Sequence, residues 1–153
     1  MTSTEIALLL NDDSEKITRI GEIIGKKIPK KNNFENLNEF EKTFIYTDIL
    51  EDNVTNGGFI QFFFSSAGQF AHEIFHAYLA INAEKTIDIL SEAIMLFPQI
   101  PVPKDQTIRQ RILMQKESNI DLWDELDHRF YKYEDDIVKL TLAYVEKNIS
   151  NFD

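Results

Sequence analysis

The chain contains no cysteine. A disulfide framework, a thiolate-held zinc and a cysteine nucleophile are therefore all excluded. Glycine, with five residues, and proline, with four, are scarce, so few positions among 153 residues can take a sharp turn unaided. Bases are outnumbered: 16 Lys and Arg stand against 26 Asp and Glu, a net charge of −10. Direct nucleic-acid binding, which draws its affinity from clustered cations at phosphates, is not expected. A basic protein surface is the expected partner. Long apolar runs are missing too. The run from Ile6 to Leu10 has no basic region before it and acids directly after it, so it reads as neither a signal peptide nor a membrane span, and a cytoplasmic location is expected.

What is abundant is bulk. Apolar residues make up 43% of the chain and twelve residues are Phe, enough to build a core without a metal or covalent staple. The apolar period is helical, with no convincing alternating run, so the expected fold is all-α. We expect one compact domain over residues 1–153, of about seven or eight helices, with residues 1–33 as an N-terminal helical extension. Thr2 and Glu5 fit a capping box, followed by an apolar stripe through Ile6, Leu9 and Leu10 that Ile17, Ile20, Ile23 and Ile24 continue past a break at residues 11–14. Asn36 and Glu39 offer a second box for a helix with Phe40, Phe44, Ile45 and Leu50 inside. The pair Gly57-Gly58 stops that helix, and the Phe59, Phe62, Phe63 and Phe64 group is core. Asn82 closes the next helix in a left-handed conformation; further helices run from Glu84 to Phe97 and from an Asp105 cap to about Met114. Ser118 or Asn119 caps a helix carrying Leu122, Trp123, Leu126 and Phe130, and residues 135–150 form the last.

The stretch AHEIFHAYLA places His72, Glu73 and His76 in H-E-x-x-H spacing, the pattern of a helical zinc site with Glu73 as general base. The extended form needs Gly and His where the chain has Leu79 and Asn82, and is excluded. A third ligand would have to be Glu84 or Glu92. Glu84 opens the next helix only eight residues on, and Glu92 lies away from the centre of that helix's inner face. The predicted core face of the HEIFH helix, Ala67, Phe70, Ala71, Ile74, Phe75, Tyr78 and Ile81, puts both histidines on the far side. A zinc-dependent hydrolase stays as an alternative; the leading expectation is a non-enzymatic chain without metal or cofactor, because no nucleophile set, phosphate-cradling loop or redox motif is present.

The negative charge is unevenly spread. Residues 1–33 carry five acids against six bases, so the remainder holds the whole excess. Two stretches concentrate it, and their acids are the expected partner contacts: Glu35, Glu39, Glu41, Asp48, Glu51 and Asp52, then Asp121, Asp124, Glu125 and Asp127 within the run from Glu117 to Asp136. Acids three or four residues apart on a helix lie about 5–6 Å from one another and repel, a cost that folding alone does not favour. Trp123 among these acids reads as a core residue or an interface anchor.

The segment NGGFIQFFFSSAG, residues 56–68, resembles the signature of the bacterial DNA-mimic-protein-like family through Asn56, Gly57, Gly58, Phe59, Gln61, Phe62 and Phe63. The likeness continues through Ala83-Glu84, the segment Ala93 to Pro98, Leu126-Asp127, Phe130-Tyr131 and Leu142 to Tyr144, covering roughly residues 37–150. Asn82 replaces a glycine of the family pattern, and the paired histidines lie outside that pattern. The resemblance implies an all-α fold without a cofactor and, from the member that named the family, an acidic surface imitating DNA towards DNA-binding proteins. Asn56 and Gln61 are expected to hydrogen-bond backbone around the glycine turn. An immunity-type protein that binds a toxin is a further alternative.

Overall fold

A computed structural model describes residues 1–115 and 120–153. Among the described residues there are eight α-helices and no strand: α1 (Ser3–Ala7), α2 (Asp13–Gly25), α3 (Glu39–Phe64), α4 (Ala71–Ala80), α5 (Glu84–Leu96), α6 (Gln106–Gln115), α7 (Ile120–Tyr131) and α8 (Ile137–Lys147). Short 3-10 turns at Ser66–Phe70 and Ile149–Asn151 complete the order. The fold is one all-α body, as the apolar period predicts.

Helix α3 is the hub. It packs on α4, α6, α7, α8 and α2, and buried side chains are spread along its length from Glu41 to Phe63. Phe44, Leu50, Val54, Phe59, Phe62 and Phe63 are all buried along it. The same core takes in Ile74 and Tyr78 from α4, Leu90 and Ala93 from α5, Trp123, Leu126 and Phe130 from α7, and Leu142 and Val145 from α8. Each large side chain so enclosed contributes about 1.5–3 kcal/mol by leaving water, and edge-on contacts such as Phe63 on Trp123, 5.4 Å between centroids, fix the register of α7 on α3. Trp123 is thus core, and Phe64, 38% exposed, is not.

Several helix boundaries differ from expectation for local reasons. The capping box of α3 is Asn38 with Glu41, not Asn36 with Glu39: Asn38 Oδ1 accepts the Glu41 N–H and Glu41 Oε1 accepts the Asn38 N–H. In α1, Thr2 accepts from the Glu5 N–H as predicted, but Ile6 and Leu9 are 55% and 67% exposed while Thr4 and Ala7 are buried. The cause is Asp153, whose carboxylate accepts the N–H groups of Ser3 and Thr4 and the Thr4 hydroxyl, turning that face inward. Asp12 caps α2, Asp105 caps α6 and Asp136 caps α8 through the Ser14, Ile108 and Lys139 N–H groups. Asn82 ends α4 with φ 62°, and the Ala83 N–H reaches back to the Tyr78 carbonyl. The expected Ser118 or Asn119 cap falls outside the described residues. No helix among those described is long and apolar enough to cross a membrane.

Candidate functional site

Helical geometry separates the acids of the first stretch. Asp48, Glu51 and Asp52 fall within about 100° of one another on α3, whereas Glu39 lies about half a turn away from Asp48. Glu41 is withdrawn from the surface: it is 2% exposed, caps α3 and pairs with Lys27 at 2.6 Å. Glu35, Glu39, Asp48 and Asp52 are exposed. On α7, Asp121, Asp124 and Glu125 form one exposed stripe opposite Trp123, Leu126 and Phe130. Among the described residues five ion pairs form, Lys16–Asp13, Arg19–Glu22, Lys27–Glu41, Lys104–Glu73 and Arg129–Glu92. None of these seven exposed acids belongs to one.

The two acidic groups are joined through the seam where α7 lies on α3. The Tyr131 hydroxyl donates to the Val54 carbonyl at 2.8 Å, and Asp127 Oδ1 accepts the Phe59 N–H at 2.8 Å. Burial pushes the Asp127 carboxyl up, the Phe59 hydrogen bond offsets part of this, and Asp124 adds repulsion. Asp48 is likewise raised, by burial and then by Asp52 one turn on. Within each helix, neighbouring acids are close enough to feel one another.

At the other end of the seam a cleft of about 480 Å³ opens between α2, α3 and α8. Ile17, Phe44, Ile137 and Val138 form apolar walls, and Asp48, Glu51, Asp135 and Asp136 contribute carboxylates. Glu51 is half-buried; desolvation raises its pKa to about 7 despite the Tyr133 and Tyr78 hydroxyls that favour the ionised form. Its Oε1 is enclosed without a hydrogen-bond partner. Burial and the neighbouring Glu51 push Tyr133 up to about 12. Tyr133 reaches this position with φ 46°, a left-handed backbone that a bulky residue seldom adopts.

The glycine pair does not end α3 but breaks it. Gly58 has φ 77° and ψ −175°, and the helix resumes at Phe59. This conformation is essentially restricted to glycine, and a Cβ here would sit 2.2 Å from Asp127 Oδ2. Asp127 therefore acts as the cap of the resumed segment. Asn56 donates to the Asp52 carbonyl at 2.7 Å, backbone bonding one turn upstream of the break. The Gln61 side chain lies against Gly57, where a Cβ would meet its Cβ at 2.6 Å; it is a packing contact rather than the backbone hydrogen bond expected.

A family model described as DMP19-like protein matches residues 35–148. The chain belongs to that family. The match begins and ends within two residues of the segment that carries the resemblance, and leaves the first 34 residues outside. No curated protein and no solved structure matches the chain.

Within this DMP19-like chain the H-E-x-x-H residues have local partners. His72 Nε2 accepts the Val102 N–H at 3.0 Å, which occupies the lone pair a metal would need. Glu73 pairs with Lys104 at 2.6 Å, and Lys104 also donates to the Gln69 carbonyl. His76 is exposed beside Phe75. Glu92 pairs with Arg129, and Glu84 is exposed. Among the described residues no group of three or more His, Asp or Glu is placed to hold an ion. The helix instead holds the proline-rich connection before α6.

The residue that pattern reading missed is Arg109. It is fully buried and, among the described residues, belongs to no ion pair. Nε donates to the Phe63 carbonyl, Nη2 to that of Ser65, and Nη1 to those of Pro103 and Lys104, all at 2.7–3.0 Å. Phe63 lies in the last turn of α3 and Ser65 is its C-terminal cap residue, so Arg109 caps the hub helix from α6. Gly68 leaves room for it, since a Cβ there would lie 2.7 Å from Nε. Nothing in the sequence of α6 sets Arg109 apart from the exposed Arg111 two residues on.

Proposed function

We propose that the chain binds a basic protein surface, and that its exposed acids imitate the phosphate rows of DNA towards a DNA-binding protein. The observation that supports this reading is the set of exposed acids on α3 and α7 that take part in no ion pair of the described residues. Carboxylates left unneutralised keep their field for an incoming cationic surface, which steers encounter and fixes register. Family membership agrees with it, since the family takes its name from a DNA mimic. Asp52, Asp121, Asp124 and Glu125 are the central contacts; Asp127 lies at the α3–α7 seam, and Asp48 and Glu51 line the cleft beside α2 and α8. Glu35 and Glu39 form an outlying group near the start of α3, and Glu41 serves the fold.

The test is competition. Heparin-retained DNA-binding proteins from the host cell are loaded with labelled duplex, and the chain is titrated in at rising salt. Displacement that weakens with ionic strength and is lost when Asp52, Asp121, Asp124 and Glu125 are all changed to Lys is the expected result. Failure of the native chain to displace duplex at 0.15 M salt, or displacement undiminished in the charge-reversed variant, overturns the reading.

A further inference from the structure

We propose that the cleft between α2, α3 and α8 is a binding site for an aliphatic cation, a hydrocarbon chain ending in an ammonium or guanidinium group. Its volume, about 480 Å³, lies within the range of small-ligand sites. The lining supplies both halves of such a ligand's requirements: Ile17, Phe44 and Val138 offer apolar wall for the chain, and four carboxylates offer acceptors for the head. No Lys, Arg or His lines it, so an anion has nothing to bind.

The carboxylates are not equivalent. Asp135 Oδ2 already accepts the N–H and hydroxyl of Thr86, and Asp136 Oδ1 caps α8. Asp48 is exposed and in no ion pair of the described residues. Glu51 lies deeper, with Oε1 enclosed and unpartnered. A buried acceptor without a donor is costly in a folded protein, and a cationic N–H donor entering the cleft would satisfy it with a charge-assisted bond. Tyr133, in its left-handed conformation, adds an aromatic ring and a hydroxyl to the lining.

Ligand charge and Glu51 ionisation are linked. The groups facing Glu51 are Asp48 on its own helix, Tyr78 from α4, Tyr133 from the α7–α8 connection, and Asp135 and Asp136 across the cleft; none is a cation. Glu51 titrates near 7, so a bound cation holds it ionised, expels its proton below that pH and binds more weakly in acid.

Full-length protein titrated with spermidine, and separately with N-acetylarginine amide, in 0.15 M NaCl tests the site by amide NMR and calorimetry. Expected is one saturable site with shifts confined to the cleft, at least tenfold weaker in Glu51→Gln and in Asp48→Asn, unchanged in Glu35→Gln, and weaker at pH 5.5 than at 7.5. Saturation by spermidine identifies a free polyamine as the source of the cation. Saturation by the arginine amide alone identifies a partner's side chain. Non-saturating binding of both, or binding by Glu51→Gln and Asp48→Asn equal to that of the native chain, overturns the site. The cleft residues are untouched by the four charge reversals of the competition experiment, so the two readings fail separately.

Discussion

Two buried ionisable side chains carry the sharpest consequences at the residue scale. Arg109 is enclosed with its donors spent on four backbone carbonyls, and desolvation lowers its pKa. Removing it strands those acceptors and opens a void, so Arg109→Ala should cost about 3–5 kcal/mol in urea unfolding. Lysine should recover only part, because a point charge cannot reproduce the planar fork. Glu51 behaves oppositely. Its folded pKa, about 7, lies above the ordinary 4.5, so the native state binds the extra proton and Glu51 lowers stability as pH rises from about 4.5 to 7, levelling off above. Glu51→Gln should therefore stabilise the protein at pH 8, by roughly 1–3 kcal/mol, and change little at pH 4. Equal melting-temperature shifts at both pH values would contradict this sign.

At the element scale the break in α3 is the feature with most at stake. Gly58 combines a positive φ with a Cβ position already filled by Asp127. Gly58→Ala should destabilise by about 2–4 kcal/mol, since it meets both backbone strain and overlap. Asp127→Ala should cost about 1–2 kcal/mol by leaving the Phe59 N–H uncapped. Asp127→Asn should be milder, since its amide oxygen can still accept; chemical denaturation of the three variants checks the order. The glycine pair was legible as an interruption, but not as a kink with the helix resuming beyond it. Local chemistry cannot distinguish the two, because the resumed turn is stabilised by a carboxylate 68 residues away. The capping frame of α3 shows the same limit. Asn36 with Glu39 and Asn38 with Glu41 satisfy one spacing rule, and the second prevails where Glu41 also meets Lys27 and Phe34 and Leu37 go inside.

For the whole molecule, the proposed binding rests on the exposed acids and on how they are grouped. Asp121, Asp124 and Glu125 share one stripe of α7, and Glu39 points half a turn away from Asp48 on α3, so charge reversal should be position-dependent. Changing Asp52, Asp121, Asp124 and Glu125 should abolish displacement of duplex, while reversing Glu35 and Glu39 should reduce it less. The difference should shrink at high salt, where both contributions are screened. Equal loss from either set would mean that net charge alone, and not its arrangement, does the binding.

Periodicity and composition alone determined that the chain is all helical, which residues fill most of the core, and where several helices begin and end, because these follow from interactions within a few residues. The near-opposite placement of the H-E-x-x-H histidines from the core was readable in the same way. Tertiary structure alone decided what local pattern leaves degenerate: that Glu41 turns inward while Glu39 stays out, that His72 serves a backbone N–H, that Arg109 caps a helix from another element, and that Glu51 lines one cleft with Asp135 and Asp136. Each depends on desolvation and on partners far along the chain, quantities that spacing in a sequence does not contain.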